Sequence, residues 1–323
     1  MLFHSSKTTS ELKLIHLNQN QKERREALLK SMKADDKQKG LSLLKKLIEK
    51  KAKEKVKNKL KKDKTQKLKA FVLDFDGDMK ASSIRQLREE VSSLISIAKK
   101  DDEVVLRLES PGGIVHAYGL AAAQLARLKE AGINLTICVD KVAASGGYMM
   151  ACVADKIYSA PFAVVGSIGV VAQMPNFNKL LKNHDVDYEL FTAGDFKRTV
   201  TVLGENTDAD KAKFQEEIEQ THQLFKDFVN TYRPSLDIKK VATGEHWYGE
   251  DAIQLGLVDE IKTSDSYLLE LMEHKNVYAL HAHKKPTLAE KLGLTEASEV
   301  AVSKAMDKIP EVISKIEQSI HLK

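Results

Sequence analysis

Hydrophobic and polar positions divide the 323-residue chain into unlike stretches. Residues 1–69 are polar, rich in Lys, Glu and Gln, with no Pro and one Gly, Gly40. Leu43, Leu44, Leu47 and Ile48 recur there at helical spacing, followed by Val56 and Leu60. So few apolar positions predict a solvated helix or coil that buries little surface by itself. The pattern changes at Ala70. Phe71–Phe75 reads as a strand closed by Asp76-Gly77-Asp78, and a helix from about Ser83 to Lys99 carries Ile84, Leu87, Val91, Leu94, Ile95 and Ala98 on one face. Strand Val104–Leu108, the loop Ser110-Pro-Gly-Gly113 and a helix through Leu120, Ala123, Leu125 and Leu128 follow. Strand Leu135–Val139 then leads to Ala143-Ala-Ser-Gly-Gly147 and another apolar helix.

Short β runs at Lys156–Ser159, Val164–Val171 and Asp187–Thr192 precede a long amphipathic helix over Asp208–Tyr232. That helix has Asp208 at its N-cap, Pro234 just past its end, and Phe214, Ile218, Thr221, Leu224, Phe225 and Phe228 turned inward. Strands alternating with helices of this length mean βαβ units and a largely parallel sheet. The expected organisation is a lysine-rich arm (1–69), one α/β domain (70–285) and a short helical tail (286–323).

Composition adds one point of contrast. The net charge is +5, but Lys45–Lys69 holds thirteen lysines against three acids, a local +10, which leaves about −5 elsewhere. This is a basic arm on a mildly acidic body. No aromatic interleaves with these lysines to stack on bases, so nucleic acid is not the expected partner. An anionic membrane surface suits them better, at about 1 kcal/mol per lysine. Cys138 and Cys152 have neither metal-ligand spacing nor a disulfide framework around them, and read as small buried apolar residues. No run of about 18 apolar residues predicts a transmembrane helix, and the first residues lack the charged and apolar regions of a signal peptide.

Candidate chemistry gathers at the ends of the parallel strands, where ligand sites of α/β sheets collect. Ser145 sits between a strand end and a helix start, where free backbone N–H groups favour developing negative charge. A turn serine that merely caps a helix has the same local signature. Ser110-Pro-Gly-Gly113 lies on the same sheet edge, and paired glycines let a backbone N–H face outward. A nucleophile also needs a base. His116, His222 and His246 are available, and none has a local setting that singles it out. Lys197 ends a loop between Phe196 and Val200, and lysine serves as a base once desolvation lowers its pKa to about 7–8. Spacing alone does not select it from so many lysines. No H-E-x-x-H or Walker A pattern occurs, so no metal or nucleotide cofactor is called for.

A resemblance selects among these residues. Leu106-Arg-Leu-Glu-Ser-Pro-Gly-Gly113, Val142-Ala-Ala-Ser-Gly-Gly-Tyr148, Ala154-Asp-Lys-Ile157, Gly166-Ser-Ile-Gly-Val170, Ala193-Gly-Asp-Phe-Lys197 and Gly256-Leu-Val-Asp-Glu-Ile261 occur in one order over about residues 70–270. Together they resemble the signal peptide peptidase A / SohB family of bacterial serine peptidases. The lysine-rich arm and Thr221-His-Gln-Leu-Phe-Lys-Asp-Phe228 are similar to its SohB branch. The resemblance implies a ClpP/crotonase-like α/β fold and a Ser/Lys dyad, with Ser145 as nucleophile and Lys197 as base. It implies that Ser167 hydrogen-bonds the base and that Gly113 and Gly146 supply the oxyanion-hole amides. It also implies apolar extended peptides as substrates, a ring-like homo-oligomer, and a periplasmic catalytic domain at the inner membrane. Family members usually carry an N-terminal membrane helix, which this sequence does not display. Two other readings share the fold: a crotonase-type acyl-CoA enzyme, and a catalytically silent peptide-binding scaffold at the membrane.

Overall fold

The computed structural model describes residues 10–34, 68–194 and 196–284. The lysine-rich arm from residue 45 to 67 and the expected tail (286–323) lie outside the described residues. Two compact units divide the chain: residues 14–281, and residues 1–13 with 282–323. Of the second, only the outer ends of two strands are described. The site belongs to the first.

Ten strands and nine helices are described. In chain order they are β1 (Ser10–His16), α1 (Leu17–Ala34), β2 (Lys69–Asp76), α2 (Ile84–Ile97), β3 (Glu103–Glu109), α3 (Val115–Glu130) and β4 (Asn134–Val139). Next come β5 (Val142–Ala144), α4 (Gly146–Ala151), β6 (Lys156–Ser159), β7 (Val164–Gly166), α5 (Asn178–Asn183) and α6 (Asp208–Tyr232). The last are α7 (Ile238–Val241), β8 (His246–Tyr248), α8 (Gly249–Gln254), β9 (Glu260–Ile261), α9 (Ser264–His274) and β10 (Asn276–Lys284).

The main sheet has the order β1-β10-β2-β3-β4-β6-β9, and every pair from β10 to β9 is parallel. Parallel sheets survive where both faces are covered, so their strands run almost continuously apolar. Alternate residues then serve two cores. Phe71, Leu73, Phe75, Val104, Leu106, Leu108, Leu135, Ile137 and Val139 point into the larger core, together with Leu87, Val91 and Leu94 of α2 and Leu125 and Leu128 of α3. Val72, Val105 and Cys138 point the other way, against Leu268 and Leu271 of α9. The expectation of an α/β body on a largely parallel sheet is met. Both cysteines are free and buried, and burial pushes the Cys138 thiol up to about 12, which leaves it an inert apolar group.

A second sheet, β5-β7-β8, pairs β5 with β7 in parallel and β7 with β8 antiparallel. A parallel bridge between Ser110 and Ala143 ties it to the end of β3. The N-cap of α6 is Thr207, whose hydroxyl accepts from the Asp210 N–H while the Asp210 carboxylate accepts from the Thr207 N–H.

Five local expectations are corrected. Thr207, not the expected Asp208, is the N-cap of α6, and the β run expected over Val164–Val171 ends at Gly166, where the chain turns into the site. Residues 10–16 form an edge strand, with His16 stacked on Tyr278 at 4.7 Å, where a solvated helix or coil was expected; only α1 follows that reading. Residues 187–192 are irregular and exposed, because among the described residues no neighbouring strand takes up their backbone groups. Leu224 of α6 is 70% exposed, while Phe225 and Val229 are buried. No helix among the described residues is long and apolar enough to cross a membrane.

Candidate active site

The two sheets bring the candidate residues to one edge. Register pairs Ala144 of β5 with Gly166 of β7, so Ser145 and Ser167 leave adjacent strand ends side by side. The Ser145 N–H donates to the Gly166 carbonyl at 2.8 Å, and the Ser167 N–H donates to the Glu245 carbonyl at 2.7 Å. Both serines have φ +53°, a region that L-residues enter at a cost of about 1–3 kcal/mol and that clusters at functional sites. For Ser145 the cause is visible. It is the N-cap of α4, and its carbonyl accepts from the Met149 N–H at 3.0 Å, yet its own side chain makes no capping bond. The turn from β5 into α4 therefore leaves the Ser145 hydroxyl, on a half-buried residue, uncommitted among the described residues.

Glycines close around it. Gly112 has φ +90°, and a Cβ there would lie 2.7 Å from the Ala144 carbonyl oxygen, 2.7 Å from the Gly146 nitrogen and 2.8 Å from the Ser145 Cβ. The Pro-Gly-Gly loop is thus pressed onto the Ser145 turn, at a position that only glycine occupies without strain. A Cβ at Gly113 would meet the Met79 carbonyl oxygen at 2.3 Å, and one at Gly146 would meet the Tyr118 ring at 2.4 Å. Among the described residues the Gly113 and Gly146 N–H groups have no protein acceptor. Open amides on the Ser145 turn and on the loop packed against it can bind an oxyanion formed on an attacked carbonyl.

The base candidates are placed differently. Lys197 lies on the exposed stretch that contains the misread residues 187–192, where its own N–H turns back to the Gly194 carbonyl at 3.1 Å. Its neighbour Phe196 is 65% exposed and carries the Lys213 ammonium 5.0 Å from its ring centre. Among the described residues, no hydrogen bond, ion pair or ring contact joins Lys197 to Ser145 or Ser167. Lys141, nearer in sequence, is held by Glu109 at 2.9 Å, and that carboxylate raises its pKa. His246 on β8 is the register partner of Gly166, His222 lies 3.2 Å from the Ile168 carbonyl oxygen, and His116 is exposed on α3.

Sequence reasoning missed Tyr118 and Ser110, both fully buried beneath this edge. The only signal was a tyrosine on the buried face of a helix just after Pro-Gly-Gly. The Ser110 Oγ and the Tyr118 hydroxyl lie 2.6 Å apart, and the phenol donates to the Asp78 carbonyl at 2.7 Å. No group of His, Cys, Asp and Glu able to hold a metal occurs among the described residues.

Residues 2–125 match the N-terminal part of peptidase family S49 (Peptidase family S49 N-terminal), and residues 127–278 match Peptidase family S49 itself. The chain belongs to peptidase family S49. "Probable protease SohB" of Haemophilus influenzae is 64% identical over 233 residues, covering 72% of this chain and 66% of that protein. "Probable protease SohB" of Buchnera aphidicola from Acyrthosiphon pisum is 59% identical over 210 residues, or 65% of this chain and 62% of the relative. The chain thus spans just under two thirds of these relatives. A solved structure of a membrane-bound stomatin-specific protease is 13% identical with a TM-score of 0.41, covering 63% of this chain and 84% of that one. The Ser145 turn lies within the stretch matched to Peptidase family S49 and the Gly113 loop within the stretch matched to its N-terminal part.

Proposed function

We propose that this S49 chain is a serine endopeptidase that hydrolyses apolar, extended peptides, with Ser145 as nucleophile and Lys197 as general base. The observation that carries the reading is the Ser145 turn: at positive φ, its hydroxyl has no hydrogen-bond partner among the described residues, and amides without protein acceptors there lie on its own turn and on the loop packed against it. Neutral Lys197 takes the Ser145 proton as the oxygen attacks the peptide carbonyl carbon. The Gly113 and Gly146 N–H groups stabilise the oxyanion; the proton passes to the leaving amine; water then hydrolyses the acyl-enzyme. Ser167 orients the lysine amine.

Lys197 serves as base only when water is excluded from it. Its stretch exposes Phe191 at 87% and Phe196 at 65%, apolar surface that a homo-oligomeric ring would cover. Sedimentation of the whole chain reads that assembly, and an active monomer contradicts it. Substrates of this kind include cleaved signal peptides and membrane-derived segments. The lysines of residues 45–69 hold the protein against an anionic membrane, with the body on the periplasmic side of the bacterial inner membrane. A silent peptide-binding scaffold is the second reading, favoured by the exposure of Lys197. One substitution separates the two. Ser145→Ala abolishes hydrolysis of an apolar fluorogenic peptide with the fold intact if the chain is a peptidase; equal hydrolysis by wild type and variant refutes the assignment.

A further inference from the structure

Beneath the two open amides lies a buried hydrogen-bond chain whose direction can be read proton by proton. Tyr118 has one hydroxyl proton and gives it to the Asp78 carbonyl at 2.7 Å. In the 2.6 Å contact between Tyr118 and Ser110 the donor is therefore Ser110. The Ser110 oxygen in turn accepts from the Gly112 N–H at 3.1 Å. The chain runs one way, from the Gly112 N–H through Ser110 and Tyr118 to the Asp78 carbonyl, and such chains polarise and stiffen one another. Burial pushes the Tyr118 phenol up, against the opposing pull of Ser110, so it stays a donor.

The far side of the loop is fixed by the same segment. The Ile114 N–H donates to the Met79 carbonyl at 2.9 Å, while the Asp78 carboxylate accepts from the Lys80 and Ser82 N–H groups at 3.0 and 2.8 Å. The peptide groups on both sides of the Gly112–Gly113 bond are thereby held. The plane between them, which bears the Gly113 N–H, is anchored at both ends. Tyr118 also backs the other amide, since its ring lies against Gly146. Gly77 and Gly147 complete the fit: a Cβ at Gly77 would lie 2.3 Å from the Ser110 Oγ, and one at Gly147 would lie 2.4 Å from the Ser110 carbonyl oxygen.

We propose that Ser110 and Tyr118 are positioning residues, which hold the Gly113 and Gly146 amides in oxyanion geometry through this directed chain. The proposal rests on the peptidase reading. It adds that the amides are held by a polar relay that touches no substrate. Such residues act on the transition state and leave ground-state binding alone.

The test uses the full chain, an apolar fluorogenic peptide, and the variants Ser110→Ala, Tyr118→Phe and their double. Each single variant lowers kcat by about 10–100-fold, less than the ~10²–10³-fold of deleting an oxyanion donor outright, and keeps KM within about twofold. The double costs no more than the worse single, because both interrupt one chain. Thermal unfolding identifies folded variants, and Ser110→Ala carries the test if Tyr118→Phe does not fold. An active wild type whose folded variants keep kcat within about twofold, lose through KM alone, or show multiplying losses overturns this proposal by itself. A wild type that hydrolyses no peptide overturns the peptidase reading, and this proposal with it.

Discussion

Gly112→Ala concentrates the structural reasoning into one methyl group. The residue has φ +90°, which for an L-residue costs about 1–3 kcal/mol. The added Cβ would meet the Ala144 carbonyl oxygen and the Gly146 nitrogen at 2.7 Å and the Ser145 Cβ at 2.8 Å. Two of these are backbone atoms that cannot rotate away, so the loop or the Ser145 turn must shift. Overpacking of this kind adds about 1–3 kcal/mol, which brings the expected loss of stability to about 2–6 kcal/mol. Displacement of a reacting geometry by about 1 Å costs about 10²-fold in rate, so a shift of about half that should lower peptide hydrolysis by roughly 10-fold or more. Urea unfolding with an unchanged slope measures the first quantity, and initial rates measure the second. Gly119→Ala is the matched control. That helix position has nothing within 4 Å of an added Cβ, so the change should stabilise by about 0.5–1 kcal/mol and leave the rate alone. A Gly112→Ala variant within about 0.5 kcal/mol of wild type and fully active would refute the packing argument.

Three further expectations follow from particular residues. Lys197→Ala should lower hydrolysis by about 10²–10⁴-fold, with Lys141→Ala and His246→Ala near wild type; the reverse pattern in rate assays would assign the base to the histidine. The Asp78 carboxyl is held below its ordinary 3.8, chiefly by the Ser82 backbone N–H. A depressed carboxylate contributes stability above its unfolded pKa and loses it as pH falls through the folded value. Asp78→Asn should therefore be less stable than wild type at pH 7, with the gap closing in strong acid, and a gap that widens in acid-unfolding curves contradicts the sign. The thirteen lysines between residues 45 and 69 should bind anionic vesicles with an affinity that falls steeply with salt; salt-insensitive flotation, or none at low salt, would reduce the arm to a spacer.

What the sequence made legible follows from how strongly each pattern is tied to burial. The runs Phe71–Phe75, Val104–Leu108 and Leu135–Val139 are apolar but for Thr136 and the Asp74–Arg107 ion pair, and became the largely buried middle of the sheet. The helix over Asp208–Tyr232 matched its expected span. Its face was less legible: Leu224 carries the same apolar signal as Phe225, but its exposure depends on what packs alongside, which the spacing does not encode. The strand expected at 187–192 failed for a related reason. Alternation there is real, but β structure needs a partner edge, and the described chain offers none. At the site, it was the family resemblance that named Gly113 and Gly146; the close approaches around them, which only an absent side chain allows, are long-range contacts that their spacing does not encode. Ser110 and Tyr118 stayed hidden, since a hydrogen-bond chain between residues eight apart and a carbonyl at Asp78 leaves no periodic trace.

The central claim, that Ser145 is the acylated residue, is tested most directly by a serine-directed fluorophosphonate followed by mass mapping of the labelled peptide. The account predicts one phosphonylated site, Ser145, loss of hydrolysis in step with labelling, and no label on a folded Ser145→Ala protein. A chain that cleaves peptide while Ser145 remains unmodified, or that takes the label on another residue as activity disappears, would contradict it.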